Sequence, residues 1–165
     1  MSTTQVSVSR FGVVSSRPFD KLLASIHAAV GHPDMATFTK TVSAASNWDA
    51  AQDFIRGSLG KSGFMEFIRF DLGAILRKES GEAKPKIVRI VIGNPLVMKE
   101  MAKHVADAGS YAPVTILVDE RADGVHLSYD TMASLLAHYG NADALKVAQE
   151  LDSKVEKLLT EAAIG

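Results

Sequence analysis

The sequence runs to 165 residues with a formal net charge of −1, 47% hydrophobic residues and no cysteine. That length suits one domain with a real core and is short for two, so residues 1–165 are expected to form a single domain. The missing cysteine excludes disulfides, thiolate nucleophiles and Cys-ligated zinc, and the near-neutral mixture of charges argues against a nucleic-acid or membrane-surface partner.

The opening stretch from Met1 to Val14 has no positive region followed by a long apolar core, and no run is long enough to span a bilayer. The cytoplasm is the expected compartment. Residues Gln5 to Ser15 alternate, with a slip of phase near Arg10, which predicts a first strand carrying a bulge. Phe19, Leu22, Leu23, Ile26 and Val30 recur at helical spacing after Ser16 and Pro18, and Gly31 and Pro33 stop that helix. From Asp34 to Gly63, the apolar faces Met35–Phe38–Val42 and Trp48–Ala51–Ile55 predict two short helices or one broken one. Asn47 or Ser46 offers a cap there, and Trp48 is expected to fill core space.

Met65 to Leu76 returns to period two, with Ile68, Phe70 and Leu72 on the face expected to be buried. Arg77 to Pro85 is charged and turn-rich, a solvated loop that allows an antiparallel return. Ile87 to Ile92 is apolar on both phases apart from Arg89, as in a central strand. After Gly93-Asn94-Pro95 a helix through Val97, Met101 and Val105 leads to the strand Val114–Val118, which predicts a right-handed parallel crossover. Asp123-Gly124 then sits between two alternating runs, a strong hairpin signal. Helical patterns follow through Met132, Leu136 and Tyr139, and again from Asp143 to Ala163, the latter with one side to bury.

The order of these features resembles a known family. A strand ending Gly93-Asn94-Pro95, a short helix, Pro113 before Val114–Val118, the Asp123-Gly124 hairpin and a strand ending Tyr129-Asp130 are together similar to the domain of unknown function 302. The resemblance covers Gln5–Gly31 and Met65–Leu136. It implies a compact two-layer α+β sandwich, often a homodimer, and no established chemistry. With the patterning, the expected fold is a mixed, mostly antiparallel sheet of about five strands with helices packed on one face. The family often carries a cysteine where Val114 stands, so a thiol or metal role for that position does not transfer. Residues 34–63 read as a helical insertion, and 141–163 as a C-terminal helix for packing or dimerisation.

No catalytic signature is present. Gly57 to Gly63 lacks the spacing of a phosphate loop, and no Gly-x-Ser-x-Gly occurs. Glu100 and His104 share a helix face but read as ordinary helix-end electrostatics. His27 and His32 straddle a helix stop, so no metal site is expected. The candidate ligand-binding set is Asn94, Thr115, His126, Tyr129 and Asp130. Asn94 lies where a strand gives way to helix amides that can hold an anion, although Pro95 removes one donor. His126 and Asp130 share a strand face about 13 Å apart, too far to chelate one ion, and alternation points Tyr129 the other way. The expected function is a non-enzymatic homodimer that binds a small molecule or partner. The alternatives are an enzyme with an acid–base site at His126, Tyr129 and Asp130, or a cofactor protein, for example one binding haem.

Overall fold

The computed structural model describes Met1 and residues 3–165. Its centre is an open five-stranded sheet with strand order β1-β5-β4-β3-β2, where β1 is Arg10–Ser15, β2 Met65–Asp71, β3 Ile87–Gly93, β4 Val114–Arg121 and β5 Gly124–Asp130. Every neighbouring pair is antiparallel. The architecture is α+β, as the patterning implied. One face of the sheet is packed with helices, because Val88, Ile90, Ile92, Ile116, Val118, Leu127 and Tyr129 alternate onto it and are buried.

Two helices supply most of the cover. Helix α1 (Phe19–Ala29) buries Phe19, Leu22 and Ile26. The long C-terminal helix (Ala142–Ile164) presents Ala144, Ala148, Leu151, Val155, Leu158 and Leu159 to the same core, so its apolar stripe is consumed within the chain. Asn141 caps that helix by accepting the Ala144 N–H at 2.9 Å. Between α1 and β2, helices α2 (Met35–Ala44) and α3 (Trp48–Gly57) bring Phe38 and Ile55 onto Met65 at the start of β2, a satellite cluster. Asp34 and Asn47 accept from Thr37 N and Ala50 N, which fixes where each of those helices starts. Gly31 and Gly60 lock this unit to α1. A Cβ on Gly31 would collide with the Ser58 carbonyl, and one on Gly60 with the backbone of Val30.

Several sequence expectations are corrected. Strands β3 and β4 are antiparallel, with Ile90 opposite Ile116, not joined by a parallel crossover. The helix between them, α5 (Pro95–Ala102), has eight residues. It advances about 12 Å, whereas a crossover along a seven-residue strand must return about 23 Å. The chain instead turns back through a 3₁₀ segment, Ala106–Ser110, at the same end of the sheet. The first strand begins only at Arg10, and the one-residue bulge lies in β2, between Glu66 and Ile68. That bulge flips the phase of an edge strand, so Ile68 and Phe70 face outward and are 47% and 41% exposed. Strand β2 stops at Asp71, whose carboxylate accepts from Ala74 N at 3.0 Å, and helix α4 (Gly73–Ser80) follows, replacing the end of the expected strand at Gly73–Leu76 and the start of the expected loop at Arg77. Trp48 is not core. It stands 48% exposed at the start of α3 with Lys99 Nζ 5.0 Å from its ring centroid, a cation–π contact that joins α3 to α5.

Candidate functional site: a cleft at one end of the sheet

The sheet face opposite the helices is open. Strand register places Gly12, Ser128, Leu117, Arg89 and Phe70 in one row across it, with Arg10, Asp130, Thr115, Val91 and Ile68 in the next. Arg89, the one charge inside an apolar strand, thus reaches solvent at the middle of this face. Its Nη2 donates to Thr115 Oγ1 at 3.3 Å, and it pairs with no carboxylate among the described residues.

Where these rows meet the end of the sheet, the face opens into a cleft of about 430 Å3. Arg10, Arg89, Thr115, Ser128 and Asp130 bring the polar groups, Tyr111 comes from the loop before β4, and Met132 and Leu135 belong to helix α6 (Met132–Leu136). Arg10 and Asp130 form a bidentate pair at 2.6 and 2.9 Å, and that guanidinium holds the Asp130 carboxyl below the usual carboxylate range. With Arg10 matched by Asp130, Arg89 leaves the cleft with one uncompensated positive charge. The hydroxyls of Thr115, Ser128 and Tyr111 add neutral hydrogen-bonding groups, and Leu117, Met132 and Leu135 an apolar wall.

Of the five candidate residues, Thr115, Tyr129 and Asp130 line this cleft. The side chain of Asn94 is occupied structurally. Its Oδ1 accepts from Leu96 N at 2.9 Å, capping α5, and its Nδ2 donates to the Gly63 carbonyl at 3.1 Å. His126 lies outside the cleft, in the Asp123–Gly124 hairpin region, where its Nε2 is 2.8 Å from Asp123 Oδ1. Hydrogen bonding to His126 lowers the Asp123 pKa. Glu100 is held by Lys103 and Lys99 rather than by His104, and those ammonium groups lower its pKa to about 2.

Tyr129 points toward the helices. Its hydroxyl donates to Asp152 Oδ1 at 2.6 Å and accepts from Met132 N at 3.1 Å. Asp152 also accepts from Met132 N at 2.8 Å and from Ala133 N at 2.9 Å, so one buried carboxylate caps α6 from the C-terminal helix. Burial, and then the Asp152 carboxylate, push the Tyr129 phenol well above its ordinary value, which keeps it a hydrogen-bond donor rather than a base. His126, Tyr129 and Asp130 therefore do not meet at one reacting atom. Sequence reasoning passed over Asp152 and Arg89, yet each left a signal. Asp152 is an acid on the buried stripe of an amphipathic helix, and Arg89 a lone charge in an apolar strand.

Among the described residues, no helix is long and apolar enough to cross a membrane. No curated protein matches the chain. In fold, it is similar to the crystal structure of an uncharacterized conserved DUF302 protein from Bacillus stearothermophilus, with a TM-score of 0.59 over 93% of this chain and 94% of that one, at 11% sequence identity. The family model for the domain of unknown function DUF302 matches residues 38–162, well over half of the sequence. The chain belongs to the DUF302 family.

Proposed function

We propose that the chain is a non-enzymatic, self-associating binding domain whose cleft takes a small anionic molecule. The observation that carries this reading is Arg89, a guanidinium without a carboxylate partner, set among hydroxyls and an apolar wall. The volume of about 430 Å3 falls within the range of small-molecule pockets. A planar guanidinium suits a carboxylate or phosphate, and the Arg10–Asp130 pair at the rim can open to admit a second anionic oxygen. Nothing in the cleft is poised to move a proton: the Tyr129 phenol is held by Asp152, and His126 is turned to Asp123.

Self-association is supported by a concentration of exposed apolar side chains. Ile68 and Phe70 of β2, Leu72 at the junction, and Ile75 and Leu76 of α4 lie together at an edge of the sheet, and Ile75 is 74% exposed. An edge strand beside a helix that exposes Ile75 and Leu76 is a surface that a second copy can cover.

The ligand reading is tested by thermal shift of the full chain with inorganic phosphate and succinate at about 10 mM, against Arg89→Met. Stabilisation by at least one anion, lost in Arg89→Met, is the expected result. Equal shifts in both proteins, or none in either, would rule the reading out.

A further inference from the structure

None of the cleft-lining residues takes part in a second constellation. His27 sits in the last turn of α1, His32 just beyond the Gly31 stop, and Glu66 is the second residue of β2. Main-chain bonds bring them together. Gly31 N donates to the Phe64 carbonyl at 2.9 Å and Glu66 N to the Gly31 carbonyl at 2.8 Å, an isolated parallel bridge tying the end of α1 to β2. A nitrogen from each imidazole and a carboxylate oxygen of Glu66 lie within 4.8 Å of one another.

Two details favour a cation there over a plain polar cluster. His32 Nε2 is 2.9 Å from the His27 carbonyl oxygen, so in the neutral ring that nitrogen bears the proton and donates, leaving the lone pair on Nδ1. Metal-ligating histidines are commonly oriented in this way, by a backbone carbonyl on the other ring nitrogen. Nδ1 then stands 3.9 Å from Glu66 Oε2. That is too long for a hydrogen bond, and about 0.5 Å more than the roughly 3.4 Å that two tetrahedral donors about 2.1 Å from a shared ion span, a difference that a small side-chain rotation closes. The His27 ring stacks on His32 with centroids 3.8 Å apart, and because His27 is exposed, rotation about its own side-chain bonds swings a nitrogen into the gap without disturbing the core. Arg69 competes for the carboxylate, bonding Oε1 at 3.0 Å and Oε2 at 2.6 Å. A metal takes Oε2 and leaves Oε1 to Arg69 Nε.

We propose that His27, His32 and Glu66 form a site for a divalent transition metal of the zinc class, with water in the remaining positions. Two imidazoles and one carboxylate suit zinc, cobalt or nickel, and disfavour magnesium, which requires oxygen donors. The test uses the untagged full chain, stripped with a chelator and titrated with zinc chloride calorimetrically at about pH 7.5, because protons compete with metal for the same ligands at lower pH. Cobalt chloride, followed by visible absorption, reports the ligand set.

The expected result is one zinc per chain and no heat with magnesium chloride. His27→Ala and His32→Ala should each weaken zinc binding by more than about tenfold, since even outer-shell losses cost that much. Arg69→Gln, which removes the competitor, should tighten it. Both histidines are exposed, so these variants keep the fold, and circular dichroism verifies it. Zinc binding that is absent, or that is unchanged in both histidine variants, would overturn the assignment.

Discussion

Replacing Asp152 with alanine tests how the end of β5 is held to the C-terminal helix. In the wild type, Asp152 receives three donors: the Tyr129 hydroxyl at 2.6 Å, Met132 N at 2.8 Å and Ala133 N at 2.9 Å. Without the carboxylate, Met132 N still has the Tyr129 oxygen at 3.1 Å, so it is not orphaned. The Tyr129 O–H and the Ala133 N–H are left without acceptors. Each such group costs about 1–3 kcal/mol when buried, and Ala133 N, only partly buried, belongs at the lower end. Asp152→Ala is therefore expected to lose about 2–5 kcal/mol, a fall in Tm of roughly 5–15 °C for a chain of this size. Tyr129→Phe leaves Asp152 its two backbone donors and should cost about 1.5–3 kcal/mol, the range for a bond to a charged group. In the double variant the orphaned hydroxyl no longer exists and the Tyr129–Asp152 bond is counted once, which outweighs the Met132 N–H that now loses both acceptors. The loss should therefore be smaller than the sum of the two by about 1 kcal/mol or more. Urea denaturation of the four proteins measures this cycle, and amide exchange should accelerate at Met132 and Ala133 first. A loss below about 1 kcal/mol for Asp152→Ala, or strict additivity, would refute the network as the fastening of α6.

Tyr129 also sets an alkaline limit. Its pKa is raised in the fold, so the folded state holds the phenol proton more tightly than the unfolded chain, whose tyrosine titrates near 10.0. The stabilisation is complete below that value and is lost as pH rises from there toward the folded pKa. Stability measured by urea should fall more steeply above pH 10 in the wild type than in Tyr129→Phe. Glu100 behaves oppositely. Lys103 and Lys99 lower its pKa to about 2, so Lys103→Met should raise the carboxyl toward its ordinary value in a carbon-detected NMR titration. Gly31→Ala should destabilise by about 1–3 kcal/mol through the collision with Ser58, read as a lower urea midpoint. The proposed self-association predicts a dimer in light scattering at tens of micromolar and a monomer for Ile75→Glu, which places a charge in the exposed apolar patch, with its Tm within a few degrees of the wild type.

Local chemistry was legible where neighbours in sequence are neighbours in space. The Asp123-Gly124 turn closes on Arg121 opposite Gly124, and Asn47 caps α3 as its residue type suggests. The expectation of a parallel crossover failed because strand direction is set by how far the linking helix carries the chain, and α5 proved too short. The outward turn of Ile68 and Phe70 depends on one bulged residue, and alternation alone cannot reveal such a slip. The cleft was half legible. Alternation puts His126 and Asp130 on one strand face, but the meeting of Thr115 and Asp130 with Arg10 and Arg89 required the registers of β1, β3 and β4. The approach of Glu66 to His27 and His32 rests on a single backbone bridge, for which the sequence carries no pattern.

The central claim is that the cleft beside Arg89 receives an anion. It is tested most directly by an amide and arginine side-chain NMR titration of the full chain with succinate and, separately, inorganic phosphate. For at least one of the two, the account predicts saturable shifts concentrated at Arg89, Thr115, Ser128 and Tyr111, and absent from Arg89→Met. Shifts scattered over the surface, or the same cleft shifts persisting in Arg89→Met, would contradict it.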